Sequence, residues 1–489
     1  MAGFIRYEKK NDVEYASVYH AKRKDGKKIN EIEWLGRVVD KENGIYQNKI
    51  NGIFRYTLEA GICDYIPIVK EKLLLDFGDS YFLNEILKKA GFREVIERVF
   101  AEKTESVLSL MFYKTLNGGS SCYAQTWWEG SYARILFPNA TLASQRISEI
   151  LRYMGDESLQ RTFFREYLRY ISSYCSGGVL IDSTGLPNDT AFPLTAVNNH
   201  NGVISNEARL ILVLDKVSGY PIYFRYAAGN IVDVSTLQTT IAEVRTYGLD
   251  VRYAIIDAGY FSEKNIKALQ SSGISFVTRM TSNLKLYKTL ITEHKANLED
   301  AKYLIKYRGR FVYIKCVDVD LYGKPGYAYV CLDMDRKHEE IKKYMDSALD
   351  DKKVTVDEMN AVLQSKGLFI LVSSEKIKTA DILPLYYTRQ AIEQVFDISK
   401  NNADLLPLRV HGIENFRGHL LLSFIVSAIY IFATKMLVGS DVCATGAYQI
   451  LRNLKCKVFD DKIIIQEANK KMNDIAKLLK LDMPTFLMW

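Results

Sequence analysis

Apolar and polar residues alternate at the start of this chain, then shift to a helical period, then return to strand-like runs. Residues 13–19 and 29–38 have period two. The AKRKDGKK between them carries an Asp25-Gly26 pair that suits a hairpin turn. From about residue 67 to 174 apolar positions recur every three or four residues, in FLNEILKKAGFREVIERVF, ESVLSLMFYKTLNG and LASQRISEILRYMGDESLQRTFFREYLRYISSY. The last run breaks at Gly155-Asp156, which predicts two helices about a tight turn. Trp127 and Trp128, beside Tyr123, are expected in the core of this helical region.

Gly178 opens a third regime. GVLIDST reads as a buried strand with a carboxylate near its end, and ARLILVLDKVSGYPIYFRYAAGN as two strands about a turn at Ser218-Gly219. Residues 235–247 read as a helix, VRYAIIDAGYF as a strand, the run after Ser262 as a capped helix, and ISFVTRM as one more strand. This order predicts three strands that pair antiparallel, followed by right-handed crossovers into parallel ones. The first and fourth strands are then neighbours, which brings Asp182 and Asp257 to one edge.

Between about 281 and 373 lies material this α/β unit does not need. Strands at 304–319 and 327–332, with helices at 337–349 and 356–365, predict an inserted subdomain, and LFILVSS leads back into the sheet. The expected organisation is a β-rich region at 1–60 and a helical region for DNA binding or dimerisation at 61–175. A catalytic core follows at 176–283 and 374–440, with the insertion at 284–373 and a helical tail at 441–489.

The segment at 385–401, LYYTRQAIEQVFDISKN, has a second kind of pattern. On one α-helix, Arg389, Glu393 and Lys400 fall at roughly −60°, −20° and −40° from Tyr386, a stripe about 60° wide. Leu385, Ile392, Val395 and Phe396 occupy the neighbouring apolar arc. Ion pairing between Arg389 and Glu393 explains two members of the stripe; it does not explain Tyr386 and Lys400.

Composition narrows the class. At 489 residues the chain exceeds one ordinary core, and 48% hydrophobic with 25% charged residues is that of a folded soluble protein. A net charge of +7 is compatible with a polyanionic partner without requiring one. Seven scattered Cys without C-x-x-C point away from zinc knuckles and disulfide frameworks, and to a reducing compartment. The opening MAGFIRYEKK is charged at once, so no secretory signal is expected. The apolar run at 420–434 is shorter than the roughly 20 residues of a bilayer crossing, so it is expected to be a buried helix and no membrane is expected as partner. Lys24 and Lys27, with Lys22, Arg23 and Lys28, crowd the first hairpin tip and are either solvated or phosphate-contacting. Arg146 heads a series of basic residues on the helix pair that could sit on DNA.

Three carboxylates, Asp182, Asp257 and Glu393, with no Cys or His in their motifs, suit a hard cation such as Mg²⁺ or Mn²⁺. With these residues the sequence resembles the DDE transposases of bacterial insertion sequences, in the group marked by a Tyr-Arg-Glu-Lys (YREK) signature. The spacing Y-x2-R-x3-E-x6-K is met at Tyr386, Arg389, Glu393 and Lys400. LIDST, AIIDAGYF and GYPIYFRYAAGNIVDVSTL are similar to that family's Asp-bearing segments and the stretch between them.

The resemblance implies an RNase H-like mixed-sheet core interrupted by a β-rich insertion. It implies that Asp182, Asp257 and Glu393 are catalytic and hold two divalent ions, one activating the nucleophile and the other stabilising the leaving oxygen. The implied substrates are double-stranded DNA at the transposon's terminal inverted repeats and at a target. The implied reaction is end cleavage, by a route that can include a hairpin, followed by joining of the 3′-hydroxyl. Tyr386 and Arg389 would then contact the DNA end, Lys400 a phosphate of the transferred strand, and Arg310 of the insertion the DNA backbone. A homodimer in the bacterial cytoplasm, at the nucleoid, is implied as well. A nuclease on the same core, or a DNA-binding repressor derived from one, are the alternatives.

Overall fold

The structure is a computed structural model that describes residues 3–10, 13–24, 27–66, 72–188, 192–200, 203–348, 355–402, 405–406, 408, 412–439 and 441–488. Asp25 and Gly26, the expected hairpin turn, lie outside them. The chain divides into two compact units, one of residues 1–75, 456–466 and 484–489, the other of residues 76–455 and 467–483.

The first unit opens with six strands, β1 (Gly3–Lys10), β2 (Val13–Lys24), β3 (Lys27–Asp40), β4 (Ile45–Asn48), β5 (Gly52–Thr57) and β6 (Gly61–Ile66), paired in sequence order as an antiparallel sheet. The alternation seen in sequence sorts its two faces. Ala16, Val18, Leu35, Tyr46, Phe54 and Tyr56 form a core on one side. On the other side Phe4 stacks on Tyr19 and Tyr15 on Trp34, with Phe4 and Trp34 exposed. A short strand, β7 (Leu73–Asp76), belongs to a second sheet with strands from the end of the chain.

Seven helices follow: α1 (Gly78–Ala90), α2 (Phe92–Val99), α3 (Thr104–Leu116), α4 (Ala124–Gly130), α5 (Ala133–Leu136), α6 (Ser144–Met154) and α7 (Glu157–Ile171). The break between α6 and α7 falls where Gly155-Asp156 predicts it, because the Asp156 carboxylate accepts the free Leu159 N–H at 2.9 Å and starts the next helix. The tryptophans differ from expectation. Trp127 and Trp128 are half-buried and Tyr123 is 65% exposed, because α4 is a two-turn helix on the surface of the unit.

A single large sheet organises the second unit. Its strands are β8 (Gly178–Pro187), β9 (Ala196–His200), β10 (Val203–Asp215), β11 (Pro221–Ala228), β12 (Tyr253–Ile256), β13 (Ser275–Arg279), β14 (Leu304–Tyr307), β15 (Arg310–Asp320), β16 (Pro325–Asp333) and β17 (Leu368–Ser373). Their order is β11-β10-β8-β12-β13-β17-β16-β15-β14, with β9 paired to β10. Pairing is antiparallel from β11 to β8 and parallel from β8 through β12 to β13. Helix α8 (Leu237–Thr246) connects β11 to β12 and α9 (Glu263–Ser271) connects β12 to β13. Val179, Leu180 and Ile181, and Ala254 to Ile256, are buried, as continuous apolar runs of central strands should be.

The segment at 284–373 contributes more than the sequence indicates. It begins with a helix, α10 (Lys285–His294), and its strands extend the same sheet through β17. The expected strand at 304–319 is split by a tight turn at Arg308 and Gly309, both at positive φ. Helices α11 (Met334–Ala348) and α12 (Val356–Ser365) complete the segment.

The helix expected at 385–401 is interrupted twice. It comprises α13 (Thr379–Tyr387), α14 (Gln390–Asp397) and a π turn at Ile398–Asn402. At the first break the backbone tightens: Thr388 N–H bonds Leu385 O, Arg389 N–H bonds Tyr386 O, and Ile392 N–H bonds Arg389 O, each three residues back. Beyond it, the π turn inserts an extra residue and shifts the phase at Lys400. The straight-helix angles therefore do not hold, although the four side chains still lie near one centre.

Helix α15 (Ile413–Met436) is long and apolar enough by composition to cross a membrane, but most of its residues are buried, packed on α6, α3 and β11. Two glycines set how closely it approaches α6. A Cβ on Gly418 would come within 1.8 Å of Leu151 O, and one on Gly155 within 1.7 Å of Glu414 O. Phe163, Phe164, Tyr167 and Phe424 fill the adjoining aromatic core. Helix α16 (Ala444–Arg452) and helix α17 (Lys470–Leu479) close the unit, while β18 (Lys455–Val458), β19 (Lys462–Ile465) and β20 (Phe486–Met488) complete the sheet of β7.

Candidate active site

The site starts from strand register. Ile181 of β8 lies opposite Ile256 of the parallel β12, so the next residues, Asp182 and Asp257, stand side by side; β12 ends there, whereas β8 runs on to Pro187 paired with β10. Side chains of a strand alternate between faces, and β8 uses both in its middle. On one face Asp182 meets Arg389 and the Thr184 hydroxyl accepts from Lys400 Nζ at 2.7 Å. On the other, the Ser183 hydroxyl donates to Asp233 at 2.6 Å, and Arg209, opposite Gly185 on β10, bonds Asp233 at 2.5 Å.

Arg389 is the centre of this arrangement. Its guanidinium bonds Asp182 and lies 3.6 Å from Asp257 and 3.7 Å from Glu393. The Tyr386 hydroxyl donates to Asp257 at 3.1 Å. Asp182 is 9% exposed, and burial pushes its carboxyl up to about 6; Arg389 pulls it down, while Asp257 and Asp233 add to the rise. Lys400 is shifted down by burial, against the pull of Asp397 and Glu207. Burial also raises the Tyr386 phenol, which remains a neutral hydrogen-bond donor.

Asp182, Asp257 and Glu393, expected as one group, thus share a single guanidinium. Among the described residues no group of three such side chains lies close enough to hold a metal ion as placed. The donor chemistry nevertheless fits a divalent cation: the three side chains offer only carboxylate oxygens, and one guanidinium leaves two of their negative charges uncompensated.

The expected DNA contacts sort less simply. Tyr386 is 4% exposed and held on Asp257, so here it orients a carboxylate instead of presenting a surface. Arg389 faces the carboxylates, and Lys400 is held on Thr184. The Arg310 fork pairs with the buried Asp333 at 2.9 Å, which ties it into the sheet and explains why it does not project. Arg146 is exposed and pairs with Glu149 at 2.8 Å on its own helix. Lys24 and Lys27 end β2 and start β3, and their side chains lie outside the described residues.

The layer beneath is visible in the sequence only as Asp233 of the family-like stretch GYPIYFRYAAGNIVDVSTL, with no role attached to it. Asp233 binds Ser183 beside Asp182, and its Oδ2 lies 3.1 Å from where a Cβ on Gly259 would stand, in the turn that follows Asp257. One carboxylate thereby bonds the Asp182 strand and packs against the turn after Asp257. The available signal for its role was Arg209, a lone charge at the head of the apolar run ARLILVLD.

Comparison with known proteins adds the family. The family model described as "Transposase DDE domain" matches residues 173–429, more than half of the chain. No curated protein matches it. Among solved structures, the piggyBac transposase in its synaptic complex with hairpin DNA is similar at 11% identity, over 71% of this chain and 70% of that one. Its TM-score is 0.36.

Proposed function

The chain belongs to the DDE-domain transposases, whose family model it matches over residues 173–429, and we propose that it cuts transposon ends and joins them to target DNA. In this reading Asp182, Asp257 and Glu393 are the catalytic carboxylates and hold divalent metal, two ions of Mg²⁺ or Mn²⁺. The metal, when bound, supplies Lewis-acid activation of the attacking hydroxyl and charge stabilisation at the scissile phosphate. The observation that carries the reading is the register of β8 and β12, which sets Asp182 beside Asp257 and under the Arg389 guanidinium that also approaches Glu393.

The chain's own residues divide the remaining work. Tyr386 holds Asp257 in place through its hydroxyl. Arg389 is the phosphate-binding group once the carboxylates are otherwise compensated, since its planar fork suits bidentate contact. Lys400, anchored on Thr184, neutralises charge on the strand being joined. We assign the chain to the YREK group of bacterial insertion sequences, and read β11-β10-β8-β12-β13 as an RNase H-like core with 284–373 as its insertion. The order of strands, three antiparallel then two parallel, supports that assignment. A homodimer holding two ends, acting in the cytoplasm, completes the proposal.

The test is cleavage of labelled duplexes spanning the boundaries of the gene's own locus, with Mg²⁺ or Mn²⁺ against EDTA, and wild type against Glu393→Ala. The expected result is metal-dependent nicking at a fixed terminal position that the variant lacks. A hairpin product would establish the hairpin route. Binding without cleavage under every metal would move the chain to the repressor class.

A further inference from the structure

Residues on either side of Arg389 at the α13–α14 junction line a cleft of about 580 Å³. Lys216 reaches it from the turn between β10 and β11, Arg308 from the hairpin tip between β14 and β15, and Lys435 from the end of α15. Three segments distant in sequence thus bring three cations to one concavity. No aspartate or glutamate lines it among the described residues.

Each cation is held by a contact of its own. Lys216 Nζ lies 4.3 Å from the centre of the Tyr253 ring and Lys435 Nζ 5.1 Å from that of Tyr220. Arg308 sits at φ 49°, a left-handed backbone that non-glycine residues adopt only when something holds them there. What holds it is the neighbouring Tyr307, stacked on Tyr387 at 5.6 Å, and a bond from its own guanidinium to Gln390. Tyr387 and Thr388, immediately before Arg389, and Gln390, immediately after it, all line the cleft. The cleft therefore begins one residue from the centre where the carboxylates meet.

We propose that this cleft binds the sugar-phosphate backbone of duplex DNA flanking the strand in the active site, through Lys216, Arg308 and Lys435. The proposal rests on the transposase reading for the identity of its ligand. The nearest carboxylate, Asp215, is fully buried and satisfied beneath the turn by the Val217 and Ser218 N–H groups, so the three cations dominate the cleft and favour a polyanion, and Tyr387, Thr388 and Gln390 add hydrogen-bonding groups that suit phosphate oxygens. A contact to the sugar-phosphate backbone should be indifferent to sequence.

The experiment measures binding of a labelled random-sequence duplex by fluorescence anisotropy across a salt series, using the full chain. The triple variant Lys216→Gln, Arg308→Gln, Lys435→Gln is compared with wild type. A control triple, Lys264→Gln, Lys470→Gln, Lys471→Gln, makes the same change in net charge at exposed positions elsewhere. The expected result is a loss of roughly tenfold or more in affinity and a log–log salt slope shallower by about 2–3 in the cleft variant, with the control slope unchanged. Each single variant, useful if the triple is poorly folded, should lower the slope by about 0.9.

Wild-type affinity and slope in the cleft variant would overturn the proposal while leaving the transposase reading intact. An equal loss in the control would overturn it too, by tracing the effect to net charge. Tighter capture of an acidic peptide than of DNA, abolished by the cleft variant, would reassign the surface to a protein partner. Wild-type chain that binds no duplex at any salt would overturn the transposase reading itself.

Discussion

Arg389 and Asp182, 207 positions apart in the chain, are bonded side chain to side chain, and the same guanidinium approaches Asp257 and Glu393. A cation of the protein's own thus stands among the three carboxylates proposed as catalytic. Arg389→Ala removes it. Mn²⁺ should then bind about tenfold more tightly, because a competing positive charge is gone, while end cleavage falls. Mn²⁺ titration followed by electron paramagnetic resonance, without DNA, checks this; weaker binding in the variant would show that Arg389 organises the carboxylates instead of competing for them.

Asp233 touches no reacting atom in the proposed chemistry but bonds Ser183 and abuts the turn after Asp257. Asp233→Ala should lower single-turnover cleavage by roughly 10–100-fold, the usual range for a partner that orients ligands from behind. Affinity for end DNA should stay within twofold or so of wild type, since Asp233 meets β8 on the face opposite Asp182. Equal losses in binding and cleavage would reassign it to substrate contact.

The approach of α6 and α15 depends on Gly155 and Gly418 having no side chain. Gly418→Ala forces the helices apart against the backbone at Leu151, and should cost about 1–3 kcal/mol or more. Urea denaturation with unchanged slope and a lower midpoint is the expected readout. A midpoint equal to wild type would mean that the helices can separate at no cost.

Asp79, fully buried in α1, accepts from Arg452 Nε at 2.8 Å across 373 positions of sequence. Asp79→Ala leaves that guanidinium, 27% exposed and still bonded to Leu116 O and Asn117, without its carboxylate and should destabilise the protein by about 1–3 kcal/mol. The double variant Asp79→Leu, Arg452→Met should recover much of the loss, as well-packed apolar pairs often replace buried ion pairs. Calorimetric melting of the three proteins decides it, and a double variant no better than the single one would point to packing rather than charge.

Much of the fold was legible from local pattern. The alternation in the first sixty residues, the helical stretch to residue 174 and the strand order from Gly178 to Met280 follow from side-chain periodicity, which acts within a few residues. Asp182 and Asp257 were legible for the same reason: each ends an apolar run, and the order of elements alone makes the two strands neighbours. The extension of that sheet by β14–β16 was not, because strand pairing across a hundred residues leaves no periodic trace.

What the sequence by itself determined is which residues could form the site. Which partner each one meets was decided by tertiary structure. A straight-helix reading puts Tyr386, Arg389, Glu393 and Lys400 on one stripe, yet the backbone tightens at Thr388 and widens at Ile398–Asn402. Those departures turn Tyr386 onto Asp257, Arg389 onto Asp182 and Lys400 onto Thr184. Periodicity reports the face a side chain occupies on its own element. The charge it faces there belongs to a strand some two hundred residues away, and only the packed sheet brings the two within hydrogen-bonding distance.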